Sequence, residues 1–157
     1  MKNFSIGVIT DSFRIPFKEA VKKAAEVGAE GVQIYAVRGE FCPEALDASA
    51  RREALKLLKD NGLTVSALCG DLGCGFLNPE TNPANIEKSK RIIDLALDME
   101  TNIVTTHIGT VPSDPNCKEY KILQEACNEL AEYANKNNAY FAIETGPETS
   151  AVLKAFL

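Results

Sequence analysis

The chain lacks the features that mark several common functions. No stretch approaches the roughly 20 consecutive apolar residues needed to cross a bilayer, so a membrane-spanning helix is not expected. No basic block is present, and 17 lysines and arginines are outnumbered by 22 aspartates and glutamates, giving a net charge of −5. A charge balance of that sign does not match a phosphate backbone, and no nucleic-acid partner is expected. The five cysteines, Cys42, Cys69, Cys74, Cys117 and Cys127, are odd in number and never form a C-x-x-C pair. Their spacing argues against a structural zinc site, and reduced thiols are the expected state. The opening MKNFSIGVIT has neither the apolar segment nor the cleavage site of a signal peptide. These absences together predict a cytoplasmic protein with no membrane partner.

What the chain does have is enough apolar material for a core: 45% of 157 residues, which suits a single domain over 1–157. Residues 139–147, AYFAIETGP, organise the reading. Tyr140, Phe141, Ala142 and Ile143 form a continuous apolar run, as in a parallel strand covered on both faces, and Glu144 follows just before a Thr-Gly-Pro turn. The stretch 102–109, NIVTTHIG, repeats the pattern: a β-branched run, then His107, the only histidine, then a glycine. Two groups able to bind a metal or move a proton therefore sit at the carboxyl ends of successive strands.

Other units have the same form. Strands are predicted at 4–10, 31–36, 63–69 and 103–108, with Phe4, Ile6 and Val8 sharing one face of the first. Helices follow each: one entered at Pro16 and ended by Gly28, one stopped by Asn61-Gly62, a third capped by Asn82 with Pro83 at its first position, and a fourth ended by Asn137-Asn138. A fifth starts at Thr149. Cys127 lies on the apolar stripe of the fourth helix and is expected in the core. The glycines of GDLGCGF, Gly70, Gly73 and Gly75, match neither the dinucleotide fingerprint nor the P-loop and predict a mobile rim loop. Alternating strands and helices with short connections argue for a parallel α/β sheet. Length alone favours a doubly wound sheet, because a (β/α)₈ barrel takes about 200 to 250 residues.

Taken together, GVQIYAVRGEF, SALCGDLGCGF, NIVTTHIGTVP and AYFAIETGPET resemble the sugar phosphate isomerase/epimerase family, the xylose isomerase-like TIM barrels. That family includes hydroxypyruvate isomerase, ketose 3-epimerases, inosose dehydratase and endonucleases that cut at abasic sites. The resemblance implies a parallel (β/α) TIM-barrel-type fold, incomplete, with about five of eight βα units. It also implies a divalent metal (Mn, Mg, Co or Zn) at the carboxyl-end mouth, held by residues after strands five to eight. Only Glu144 has a counterpart among those ligands. His107 matches a fourth-strand histidine that faces substrate or, in the endonucleases, binds zinc. The endonucleases also use a histidine after strand three, where this chain has Cys69, Gly70 and Asp71.

The implied chemistry is proton transfer next to a carbonyl, through an enediolate, on a sugar or sugar phosphate. Glu144 is the expected metal ligand and base, with a helix-capping carboxylate as the bland alternative. His107 is the second catalytic candidate; a hydrogen-bonded core histidine is its alternative. Tyr35, Asp71 and Glu148 are candidate substrate contacts on the same rim. Asp11 and Arg38 lie there too, although solvation is the simpler reading of Arg38 and also of Glu148. Cys69 and Cys74 could join His107 at a metal only without the usual spacing signature. One ligand does not hold a catalytic metal tightly, so the isolated chain is expected to be inactive. An incomplete barrel leaves strand edges uncovered, which favours homo-oligomers. The competing class is a non-catalytic binding or assembly module that pairs through those edges.

Overall fold

The computed structural model describes residues 4–157. Five strands, β1 (Gly7–Ile9), β2 (Gly31–Tyr35), β3 (Thr64–Cys69), β4 (Ile103–Thr106) and β5 (Tyr140–Ile143), alternate with five α-helices. The helices are α1 (Phe17–Glu26), α2 (Ala48–Asp60), α3 (Asn82–Asp98), α4 (Lys118–Lys136) and α5 (Ser150–Phe156). The strands form one sheet in the order β1-β2-β3-β4-β5, every pair parallel. A doubly wound sheet reverses its strand order at a switch point, and this one does not. With right-handed crossovers and no reversal, all the helices fall on the same face. The fold is therefore the TIM-barrel type, five βα units long.

Strand alternation separates the two faces of the sheet. Val32, Ile34, Leu68 and Val104 are almost fully buried with Val21, Ala24, Leu58, Ile92 and Ile93. A second cluster joins Leu123, Leu130, Leu153 and Phe156 to Phe76 and Ile108, with Cys127 buried among them as expected. The opposite, concave face is open: Ile9 and Ile103 are each 36% exposed and Tyr140 62%. Among the described residues β1 and β5 end the sheet. None of the described helices is long and apolar enough to cross a membrane.

Several expected boundaries shift for local reasons. The first strand shrinks from residues 4–10 to Gly7–Ile9, leaving Phe4 and Ile6 exposed. The chain turns at Gly28 after α1, so β2 offers no partner before Glu30, whose N–H donates to Ile6 O. Asn82 is not the cap of α3. Thr81 occupies that position, and Asn82 is buried inside the first turn with its Nδ2 donating to Phe76 O at 2.9 Å. By contrast, Thr149 does cap α5, its hydroxyl accepting from Val152 N, and Asp47 caps α2 by accepting from Ser49 N and Ala50 N.

The glycine-rich loop after β3 is anchored at both ends instead of free. Phe76 is 1% exposed, its N–H donates to Ile108 O at 2.9 Å, and its ring meets Phe141 edge-on. Gly75 makes this approach possible. Its φ is +60°, and a Cβ there would lie 2.6 Å from Ile108 O, a backbone atom that cannot swing aside. Gly28 also has positive φ, +80°, but nothing lies within 4 Å of its Cβ position. Gly75→Ala is therefore expected to cost about 2–3 kcal/mol in urea unfolding, through overpacking added to backbone strain. Gly28→Ala should cost only the left-handed penalty of about 1 kcal/mol. Equal losses would refute the steric account of the loop.

Candidate active site

The carboxyl ends of β3, β4 and β5 bring three predicted residues together. Asp71, two residues beyond β3, places Oδ2 3.2 Å from His107 Nδ1. Glu144, immediately beyond β5, places Oε2 3.6 Å from His107 Nε2. Parallel pairing produces this convergence, because Cys69, Thr105 and Ala142 stand side by side in register. The residues two positions further along each chain then reach the same rim from the same face. Glu144 is also fixed by its own backbone, whose N–H donates to Thr106 O at 2.8 Å.

The imidazole is flanked on both edges. A carboxylate only accepts, so Asp71 fixes the proton of a neutral His107 on Nδ1 and leaves the Nε2 lone pair directed toward Glu144. In that neutral form two acceptors face each other across 3.6 Å, a gap that a substrate hydroxyl or a proton in transit would fill. The His107 side chain is 51% exposed and that of Glu144 42%, against 27% for Asp71. Asp71 is held in turn, since its Oδ1 accepts from Gly73 N at 2.8 Å. The bland alternatives do not describe these residues: His107 is not in the core, and α5 is capped by Thr149 and not by Glu144.

Beneath the rim lies a layer that sequence reasoning did not single out. Gln33 Nε2 donates to Thr105 Oγ1 at 2.7 Å, reaching across β3, where the residue in register is the small Ala67. One signal was available: Gln33 within the apolar run GVQIY and the two threonines that end IVTT. Cys69 and Tyr35 stand in register with Thr105, on the next level above Gln33. Burial pushes the Cys69 thiol up, and the carboxylates of Asp71 and Glu144 push it further. The Tyr35 phenol is also raised, first by the neighbouring Cys69 and then by burial. Both groups therefore stay neutral and protonated at neutral pH.

The remaining rim candidates are engaged by backbone. Tyr35 N donates to Asp11 Oδ2 at 3.1 Å, tying β2 to the turn after β1. Glu148 accepts from Gly146 N at 2.8 Å through Oε1 and from Val111 N at 3.2 Å through Oε2, so it joins the loops after β5 and β4. Arg38 is exposed.

The donors can be tested against the divalent metal that the resemblance implies. Asp71 and Glu144 lie on opposite edges of one imidazole and cannot share an ion, and the Cys69 thiol resists the ionisation a ligand needs. Among the described residues no group of three or more His, Cys, Asp and Glu side chains could hold a metal. Each edge of His107 pairs with a single carboxylate, Nδ1 with Asp71 and Nε2 with Glu144, and two donors do not make a catalytic metal site.

Residues 21–153 match the family model described as xylose isomerase-like TIM barrel. The chain belongs to that family. A xylose isomerase domain protein from Planctomyces limnophilus superposes with a TM-score of 0.80 at 21% identity, covering 98% of this chain and 58% of that one. A D-psicose 3-epimerase, solved in the presence of D-fructose, gives 0.74 at 16% identity with the same coverage. A xylose isomerase-like TIM barrel protein from Mycobacterium smegmatis, in complex with magnesium, gives 0.71 at 18% identity, covering 98% of this chain and 60% of that one. Identities this low establish shared fold alone. The chain spans less than two thirds of the length of these structures, and no curated protein matches it in sequence.

The Glu148 latch has a pH signature. Its carboxyl is held below the ordinary 4.5, chiefly by the Gly146 N–H. A depressed folded value means the carboxylate's stabilisation is complete above the unfolded value and is lost as pH falls through the folded one. Thermal melts should therefore show Glu148→Ala less stable than wild type at pH 7. The difference should shrink progressively below about pH 4.5; a gap independent of pH would remove the latch.

Proposed function

We propose that the protein carrying these residues is a sugar or sugar phosphate isomerase or epimerase, working by proton transfer next to a carbonyl. The observation that carries the reading is one imidazole bracketed by two carboxylates at the carboxyl ends of β3, β4 and β5, the end where this fold places catalytic groups. Membership of a family with epimerase and isomerase neighbours supports it. The free thiols of all five cysteines fit a reducing compartment such as the cytoplasm for such an enzyme.

Isomerisation must move two protons, one between carbons and one between oxygens. In the proposed step the Glu144 carboxylate removes the C–H proton next to the carbonyl, and the electron pair left behind forms the enediol double bond. His107 Nε2 takes the proton of the adjacent hydroxyl and delivers it to the former carbonyl oxygen. Glu144 then returns its proton to the neighbouring carbon, and both side chains end as they began. Asp71 acts through His107 by fixing its tautomer, so it is a positioning residue. Tyr35, as a neutral phenol at the same rim, is suited to a sugar hydroxyl, whereas Glu148 serves the loops. The residues present do not complete a metal site, and no step here requires one.

One observation favours a second reading, an assembly module: the outer edges of β1 and β5 carry no partner strand among the described residues. Catalysis separates the two. In any polypeptide that contains this chain and turns over ketoses, Glu144→Gln and His107→Gln should each lower kcat about 10²–10⁴-fold with circular dichroism unchanged. Asp71→Asn should lower it less. Unchanged turnover in Glu144→Gln would remove that residue from the mechanism.

A further inference from the structure

A cavity of about 370 Å³ opens between the loops after β2 and β3, lined by Tyr35, Arg38, Asp71, Gly73, Asn85 and Lys88 among others. It adjoins the candidate active site, because its Asp71 is the residue that holds His107. Its charges are unbalanced. Asp71 is the one acid in the lining, and both of its oxygens are taken, Oδ1 by Gly73 N and Oδ2 by the imidazole. The Arg38 guanidinium forms no ion pair or hydrogen bond with any described residue. Lys88, on α3 and half-buried, gives one ammonium proton to Val37 O at 2.8 Å and keeps two for the cavity.

The nearby acids already have other partners. Glu44 is paired with Arg91 at 3.0 Å and is also attracted by Lys88. Asp11 accepts from Tyr35 N, and Glu40 accepts from Phe17 N at 2.9 Å. The carbonyl of Val37 aims the Lys88 stem, which lowers the entropy cost of presenting the cation.

We propose that this cleft seats an oxyanion, the phosphate or carboxylate end of a carbohydrate whose reacting carbons lie at His107 and Glu144. The inference rests on the function proposed above and narrows the substrate class to acidic sugars. Arg38 supplies a planar fork suited to two oxygens and Lys88 a point charge. Tyr35 lines the cleft together with Asp71, the residue that contacts the imidazole.

The test is direct titration of the 157-residue chain with inorganic phosphate and with acetate, followed by NMR at low ionic strength. Saturable binding is expected, weakened at least tenfold in Arg38→Gln and in Lys88→Gln. It should be unchanged in Glu144→Gln and in Arg52→Gln, an exposed arginine on α2 that controls for general surface charge. Tighter phosphate than acetate assigns the phosphate end; the reverse assigns the carboxylate. Absence of saturable binding, or equal affinity in wild type and Arg38→Gln, overturns the proposal. Arg38 is exposed and its guanidinium makes no hydrogen bond or ion pair with a described residue, so it decides the matter even if Lys88→Gln unfolds. Because phosphate binding in Glu144→Gln reports on the cleft alone, it is independent of the turnover test.

Discussion

The constraint behind everything else is that five strands run in one direction and in sequence order. Direction puts all five carboxyl ends on one rim, and order puts all the helices on one face. A single antiparallel strand would have carried Glu144 or His107 to the far end of the sheet. The in-register row of Tyr35, Cys69, Thr105 and Ala142 is how that constraint reaches the site, since it sets the level from which Asp71, His107 and Glu144 project. Backbone pairing thus does most of the positioning, and the loops need only supply the last two residues.

Much of this was legible in the sequence because strand ends mark themselves chemically. An apolar run broken by a charge before a glycine reads as a buried strand meeting solvent, and both Glu144 and His107 were visible in that way. The Asp71–His107 contact was not. It depends on the path of the loop after β3, which is fixed by backbone bonds and by the close approach of Gly75 to Ile108. Periodicity carries no information about such a path. The same limit applies to Glu148, whose solvated look in sequence gave no hint that two backbone amides on separate loops each donate to one of its oxygens. Asn82 failed for a related reason: a residue type that favours helix caps was used instead to satisfy the carbonyl of Phe76, a buried group whose need appears only in three dimensions. The first strand was overread because alternation continues through Phe4 and Ile6 while the partner strand does not.

The layer under the rim explains why the acidic site tolerates a thiol and a phenol. Cys69 and Tyr35 are both pushed toward their neutral forms, by burial and by the surrounding negative charge. They therefore add no charge to a site that already holds two carboxylates. Gln33 donates to Thr105 across β3, so the two polar side chains on that level are paired with each other. A neutral floor concentrates the ionisable chemistry in His107 and its two flanking acids, where proton transfer needs it.

Exposure links the site to the open face of the sheet. Moving a proton off carbon is favoured when fixed groups replace water around the developing enediolate, and electrostatic contacts strengthen as water leaves. With His107 51% and Glu144 42% exposed, the present arrangement has the geometry of the chemistry without the dry surroundings. Of the apolar side chains exposed on the same concave face, Ile103 and Tyr140 lie on the strands directly beneath and Ile9 on the edge strand β1. Any element that buried those side chains would also exclude water from the imidazole above them. Stability of the open face and competence of the site therefore depend on one physical event, the removal of water from the same side of the same sheet.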